Sequence, residues 1–192
     1  MGERSPLPPH PPLFTRGRFV RLIGLFALAV GATVISFAVV SHISGPRLLP
    51  GGTAAPAISA KSAAGEQVIL FGKGNPPPRP VVLEFFETTC TVCRQEVQPM
   101  CQVHAQHGGA DFYGVDAARE GATAVNDFRR TQGDGCTAWP LLLDPDSTVL
   151  RAFSVTVVPT VYVIDTHGHV AYTGTGQGGV DGLATALRSL GA

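Results

Sequence analysis

Val81-Val82-Leu83-Glu84-Phe85-Phe86-Glu87-Thr88-Thr89-Cys90-Thr91-Val92-Cys93 is the stretch that decides the fold. Val81–Phe86 is a short run of β-branched and aromatic residues, the pattern of a buried strand. Two threonines make the turn, and a pair of cysteines two residues apart follows at once. If a helix begins there, Cys90 lies at its N-terminus, where free N–H groups and the helix dipole stabilise a thiolate. Cys93 then falls one turn inward, within reach of Cys90 and more buried. A low-pKa attacker beside a protected resolving thiol is the design of a dithiol exchanger. A structural zinc site wants four ligands, typically from two such pairs, and no second closely spaced pair exists here. A purely structural disulfide across two residues is uncommon and somewhat strained.

Outward from this stretch the pattern alternates. Cys90 to about His107 reads as a helix that Pro99 should kink. Phe112–Val115 reads as a strand and Ala122–Arg130 as a helix. Leu141–Leu143 is a short strand, Thr148–Phe153 a short helix and Thr160–Ile164 another buried strand. Asp165-Thr166-His167-Gly168 is a hairpin turn leading into Val170–Thr173. Val180, Leu183, Leu187 and Leu190 form the apolar stripe of a last helix, with Asp181 or a neighbour as its expected cap. Strands alternating with helices argue for an α/β sandwich with a mixed sheet.

Phe85 to Glu96, with the cysteine pair inside it, resembles the active-site stretch of the membrane-anchored thioredoxin-like proteins of the TlpA/ResA type. Trp139-Pro140-Leu141-Leu142-Leu143-Asp144-Pro145-Asp146 resembles that family's insert and the turn after it. Val157-Val158-Pro159-Thr160, followed by VYVIDTHGHV, resembles its cis-proline loop and hairpin. The likeness spans about Pro56 to Ala192, in one order along the chain. It implies a thioredoxin-like three-layer sandwich, a thiol–disulfide oxidoreductase activity and a cis Pro159 beside the cysteines. Val158, Pro159 and Thr160 would then bind substrate, with backbone pairing to a substrate strand. Apocytochrome c cysteines are one implied substrate class. The chain departs from the pattern at Thr88-Thr89, where a Trp is common before the motif. Pro99 also falls one residue late, and Thr91-Val92 separate the cysteines.

Two carboxylates are candidates for proton traffic. Glu84 alternates with Val82 and Phe86 on one strand face and stands where thioredoxins carry a buried acid; burial would raise its pKa. Glu96, three residues after Cys93, matches an acidic position of the ResA-like proteins. Either can accept the Cys93 proton; the bland readings are an edge-strand Glu84 reaching water and a solvated Glu96. Cys101 and Cys136 are additional. A structural disulfide between them would close a loop of about 36 residues and contribute roughly 3–4 kcal/mol. Two buried free thiols, or a relay with the active pair, are the other readings. His104 and His107 are three apart on a helix but lack a third metal ligand, and read as surface residues. His167 and His169 flank a turn glycine, and Trp139 reads as core.

Upstream, Leu22–Val40 runs 19 residues without a charge. As a helix it is roughly 28 Å long, close to the bilayer's hydrocarbon core. Arg16, Arg18 and Arg21 precede it, so the positive-inside rule keeps the N-terminus cytoplasmic and places the rest outside. A cleaved signal peptide or a core helix are the alternatives. The expected organisation is a Pro/Arg-rich tail over 1–21, a transmembrane signal-anchor over 22–40, a Pro/Gly linker over 41–57 and a thioredoxin-like domain over 58–192. Four cysteines suit an oxidising compartment.

Fourteen basic and fourteen acidic residues give no net charge, which removes the electrostatic case for a nucleic-acid partner. The expected partners are exported protein thiols and disulfides, together with a membrane redox partner that recharges the pair. No cofactor or metal is expected. Two other classes compete. A peroxiredoxin-type peroxidase shares the fold, but needs Thr or Ser three residues before its cysteine and Pro seven before. Glu87 and Leu83 stand there. A membrane-tethered metal chaperone of this fold would use three residues between its cysteines, and this chain has two.

Overall fold

A computed structural model describes residues 48–72, 74–133 and 139–192. Two strands, β1 (Ile58–Ser62) and β2 (Gln67–Leu70), form a hairpin. β3 (Val81–Phe86) leads into α1 (Thr91–Gln106), and β4 (Asp111–Asp116) into α2 (Gly121–Gly133). β5 (Leu141–Leu143) leads into the short α3 (Thr148–Ala152). β6 (Thr160–Ile164) and β7 (Val170–Thr175) precede α4 (Leu183–Ser189). The strands make one seven-stranded sheet in the order β2-β1-β5-β4-β3-β6-β7. β3, β4 and β5 are mutually parallel, while β6 runs antiparallel to β3. The sheet is therefore mixed, as the alternating pattern predicts.

β3 is buried at all six positions because helices cover both faces of the sheet. Val82 and Phe86 face a layer built with Cys93, Val97 and Met100 of α1, Val125 and Phe128 of α2, and Leu183 and Leu187 of α4. Val81, Leu83 and Phe85 face the opposite layer, with Val149, Phe153 and Tyr162. Each such fully buried side chain is worth about 1.5–3 kcal/mol in apolar transfer. The result is the three-layer α/β/α sandwich of a thioredoxin-like fold.

Several local readings change. The β1–β2 hairpin had no strong sequence signal: Ala60 and Lys61 blunt the alternation of β1, and Ile69 of β2 is 67% exposed. Of the segment 41–57 expected to be a linker, residues 48–55 lie along the domain. Leu48 and Leu49 pack against its core, the Leu49 N–H donates to the Tyr162 hydroxyl, and Ala54 bridges His169. The N-cap of α4 is Gly182, the neighbour of Asp181, so the expected position holds but no side chain caps it. His107 is buried, its Nδ1 2.7 Å from the Ala192 carbonyl oxygen, and the His104 ring packs on Phe112 and Trp139. Neither is the surface residue expected. The anchor expected over 22–40 lies outside the described residues; among those described, no helix is long and apolar enough to cross a membrane.

Candidate active site

β3 and β6 run in opposite directions, so the end of β3 meets the start of β6, where Phe85 pairs with Thr160. This register brings two loops to one end of the strands: Glu87–Cys90 after β3 and Val155–Pro159 before β6. Cys90 is the N-cap of α1 in an extended conformation. It forms a disulfide with Cys93, with the Cα atoms 5.3 Å apart. The Cys93 N–H also donates to the Cys90 sulfur at 3.1 Å. Cys90 is partly exposed, whereas Cys93 is fully buried. The first turn of α1 holds no acidic side chain, so the helix terminus is left to favour a thiolate at Cys90.

The Val158–Pro159 peptide is cis, as the resemblance implies. Pro159 is buried, its carbonyl accepts the Gly176 N–H at 2.8 Å, and the Thr160 hydroxyl donates to the Val157 carbonyl at 2.6 Å. Cys90 and Val158 pack against the same apolar cluster. Beside them a groove of about 420 Å³ runs between Glu87 and Ala117 on one wall and Leu150 and Val155–Val158 on the other. Val157 is 40% exposed and gives this groove an aliphatic wall open to solvent. A cleft of about 490 Å³ lies by Pro76 and Gly168, at the other end of β6, far from the cysteines.

Both carboxylates are buried, which overturns the two bland readings. β3 is a central strand, so Glu84 cannot reach water past an edge, and its pKa is raised to about 8 by burial and then by the Glu96 charge. Glu96 lies on the inward side of α1 with Cys93. Burial raises its pKa, partly opposed by the N–H groups of Gly178 and Gly179, which donate to its Oε1 at 3.0 and 3.2 Å. Its Oε2 is buried, with no hydrogen-bond partner among the described residues. That atom belongs to a carboxyl able to take up a proton, in the layer that holds Cys93.

Sequence reading missed the hold on the turn before the cysteines. The Glu120 carboxylate accepts both the N–H and the hydroxyl of Thr88, at 2.7 and 2.5 Å. Arg94 donates twice to the Thr88 carbonyl, at 2.9 and 2.7 Å. Arg94 is next to the cysteine pair and was open to suspicion; Glu120 is 30 residues from Cys90 and carried no local signal. Cys101 is partly buried on α1, and Cys136 lies outside the described residues.

The profile of the AhpC/TSA family matches residues 52–173. The thiol-disulfide oxidoreductase ResA of Bacillus subtilis is 29% identical over 168 residues, 84% of this chain and 86% of that protein. The structure of MTB DsbF, in its mixed oxidised and reduced forms, superposes with a TM-score of 0.57 at 27% identity, covering 69% of this chain and 94% of that one. A thiol:disulfide interchange protein of Chlorobium tepidum shares the fold, with a TM-score of 0.60 at 24% identity over 74% and 98% of the two chains. Cysteine placement, fold and likeness agree: the chain belongs to the AhpC/TSA family of thioredoxin-like proteins and is a thiol–disulfide oxidoreductase with a Cys-x-x-Cys redox pair.

Proposed function

We propose that this oxidoreductase acts outside the cytoplasm on exported proteins, tethered by residues 22–40 and recharged by a membrane redox partner. The observation that carries the reading is the asymmetry of the pair: Cys90 partly exposed at a helix N-terminus, Cys93 fully buried behind it. In the reducing direction the Cys90 thiolate attacks one sulfur of a substrate disulfide. The first substrate thiolate leaves, and a mixed disulfide remains. Cys93 gives its proton to the Glu84–Glu96 pair, and its thiolate attacks the Cys90 sulfur. The second substrate thiolate leaves and the Cys90–Cys93 disulfide closes, so two electrons have passed to the substrate. The redox partner returns two electrons to reopen it.

Val158, Pro159 and Thr160 present a backbone edge to the substrate strand, with the Val157 groove beside it. Apocytochrome c cysteines are one substrate class suited to this chemistry, by analogy with ResA-like proteins. Cys101 and Cys136 form a structural disulfide in this reading. The proposal is tested by the reduction potential of the Cys90–Cys93 pair, measured by equilibration with dithiothreitol or glutathione. A value near the roughly −270 mV of thioredoxin supports a reductase; one near about −120 mV makes the protein an oxidant and removes the cytochrome reading. A Cys93→Ser variant should accumulate a mixed disulfide through Cys90, and failure to trap one overturns the assignment of attacker and resolver.

A further inference from the structure

Thr88 stands two residues before Cys90 and is gripped on three polar atoms by two charged side chains. The Glu120 carboxylate takes its N–H and hydroxyl, while the Arg94 guanidinium holds its carbonyl. Charge-assisted bonds of this kind are short and directional, so the pair fixes the turn from opposite sides. Glu120 is itself aimed. The buried Asp116 carboxylate accepts the N–H groups of Ala118, Glu120 and Gly121 at 3.0, 2.7 and 3.2 Å. Arg119 between them adopts φ +61°, a left-handed conformation that costs a non-glycine residue energy and persists only when its surroundings hold it. The β4–α2 turn therefore spends local strain on pointing one carboxylate at the turn that carries the cysteine pair.

The geometry points to Glu120 as a positioning residue for thiol–disulfide exchange: through Thr88 it seats Cys90 at the N-terminus of α1, where the Cys93 N–H meets its sulfur. This rests on Cys90 being the attacking thiol. The charged groups on the segments that meet at that turn are Glu87 from the β3–α1 turn, Arg119 and Glu120 from the β4–α2 turn and Arg94 from α1, with Glu84 and Glu96 buried in β3 and α1. The 155–158 segment contributes none. A negative Glu120 by its charge alone would raise the thiol pKa, whereas by its hold on Thr88 it lowers it. The two effects have opposite signs, so they can be separated.

The experiment uses the full chain in its reduced state. The pH dependence of iodoacetamide alkylation is measured, with the modified cysteine located by peptide mass. Glu120→Ala should raise the Cys90 thiol pKa by about one unit, as Cys90 loses its place at the helix terminus. Exchange at pH 7 should then fall several-fold and recover above the new pKa. In Glu120→Gln the amide still accepts the Thr88 N–H, and the pKa should not exceed that of the unaltered protein. Thr88→Val removes only the hydroxyl link and should give a smaller rise of the same sign, which tests the idea even if Glu120→Ala does not fold. A thiol pKa unchanged or lowered in Glu120→Ala, or raised equally in Glu120→Gln, overturns the inference while leaving Cys90 as the attacker. Alkylation landing first on Cys93 in the unaltered protein overturns the attacker assignment and this inference together.

Discussion

Glu84 gives the sharpest test of how the site is built, because its burial opposes stability while serving the proposed chemistry. Its pKa rises from an ordinary value near 4.5 to about 8 in the folded chain. Between those values the folded state keeps a proton that the unfolded chain has lost. Stability therefore falls as pH rises through that window, and levels off above about 8. At about 1.4 kcal/mol per unit, the penalty is below about 1 kcal/mol at pH 5 and roughly 3 kcal/mol at pH 7. Glu84→Gln removes the titration and keeps the shape. The two proteins should thus be of similar stability at pH 5, while at pH 7 the variant should melt on the order of 5–10 °C higher. Thermal unfolding of the oxidised forms across pH 5 to 8 reads this directly. Activity should move the other way above about pH 8, where Glu84 is ionised and able to accept: loss of that acceptor should slow resolution of the mixed disulfide by at least about 10-fold in single-turnover measurements at that pH. Parallel stability curves for the two proteins would refute the burial argument, and an unchanged resolution rate would remove Glu84 from the proton path.

Glu96→Leu should cost about 1–3 kcal/mol in denaturant unfolding, because the Gly178 N–H loses its acceptor and the Gly179 N–H is left with the Gly176 carbonyl; Glu96→Gln, which can still accept both, should cost clearly less. Gly174→Ala should destabilise by about 1–3 kcal/mol or more, since its methyl group would run into the Gly179 carbonyl and the Tyr172 hydroxyl. A melting point equal to that of the unaltered protein would show that the loop yields. Val157→Asp places a charge on the aliphatic wall of the groove and should raise KM for a peptide disulfide several-fold with kcat little changed; a fall in kcat alone would contradict a binding role for that wall.

Much of the domain was legible because its signals are local. Val81–Phe86 and Thr160–Ile164 are continuous apolar runs, and both became buried strands with the expected bounds. The cysteine spacing placed Cys90 ahead of a helix by the same short-range logic. β1 and β2 escaped because the buried positions of β1 after Ile58 are Ala60 and Ser62, too small or polar to read as an apolar pattern, and β2 is a half-exposed edge strand. His107 was misjudged because its burial depends on chain 85 residues away. For Glu84, alternation showed which face it shares, but only the flanking β4 and β6 make its strand central and only the helices over that face seal it from water.

The residues alone carry the exchanger: a thiol pair at a strand-to-helix turn follows from neighbours a few residues apart, which obey helix and strand periodicity wherever the chain goes. The proline before a buried strand and the acid six residues ahead of the first cysteine gain their roles from the family resemblance. What surrounds the pair came from the packing of the layers. Glu120 reaches Thr88, Gly178 and Gly179 reach Glu96, and the Val155–Pro159 loop comes to the end of β3 because sheet order joins segments tens of residues apart. No local pattern encodes such a meeting, since it is set by how the layers close over one another.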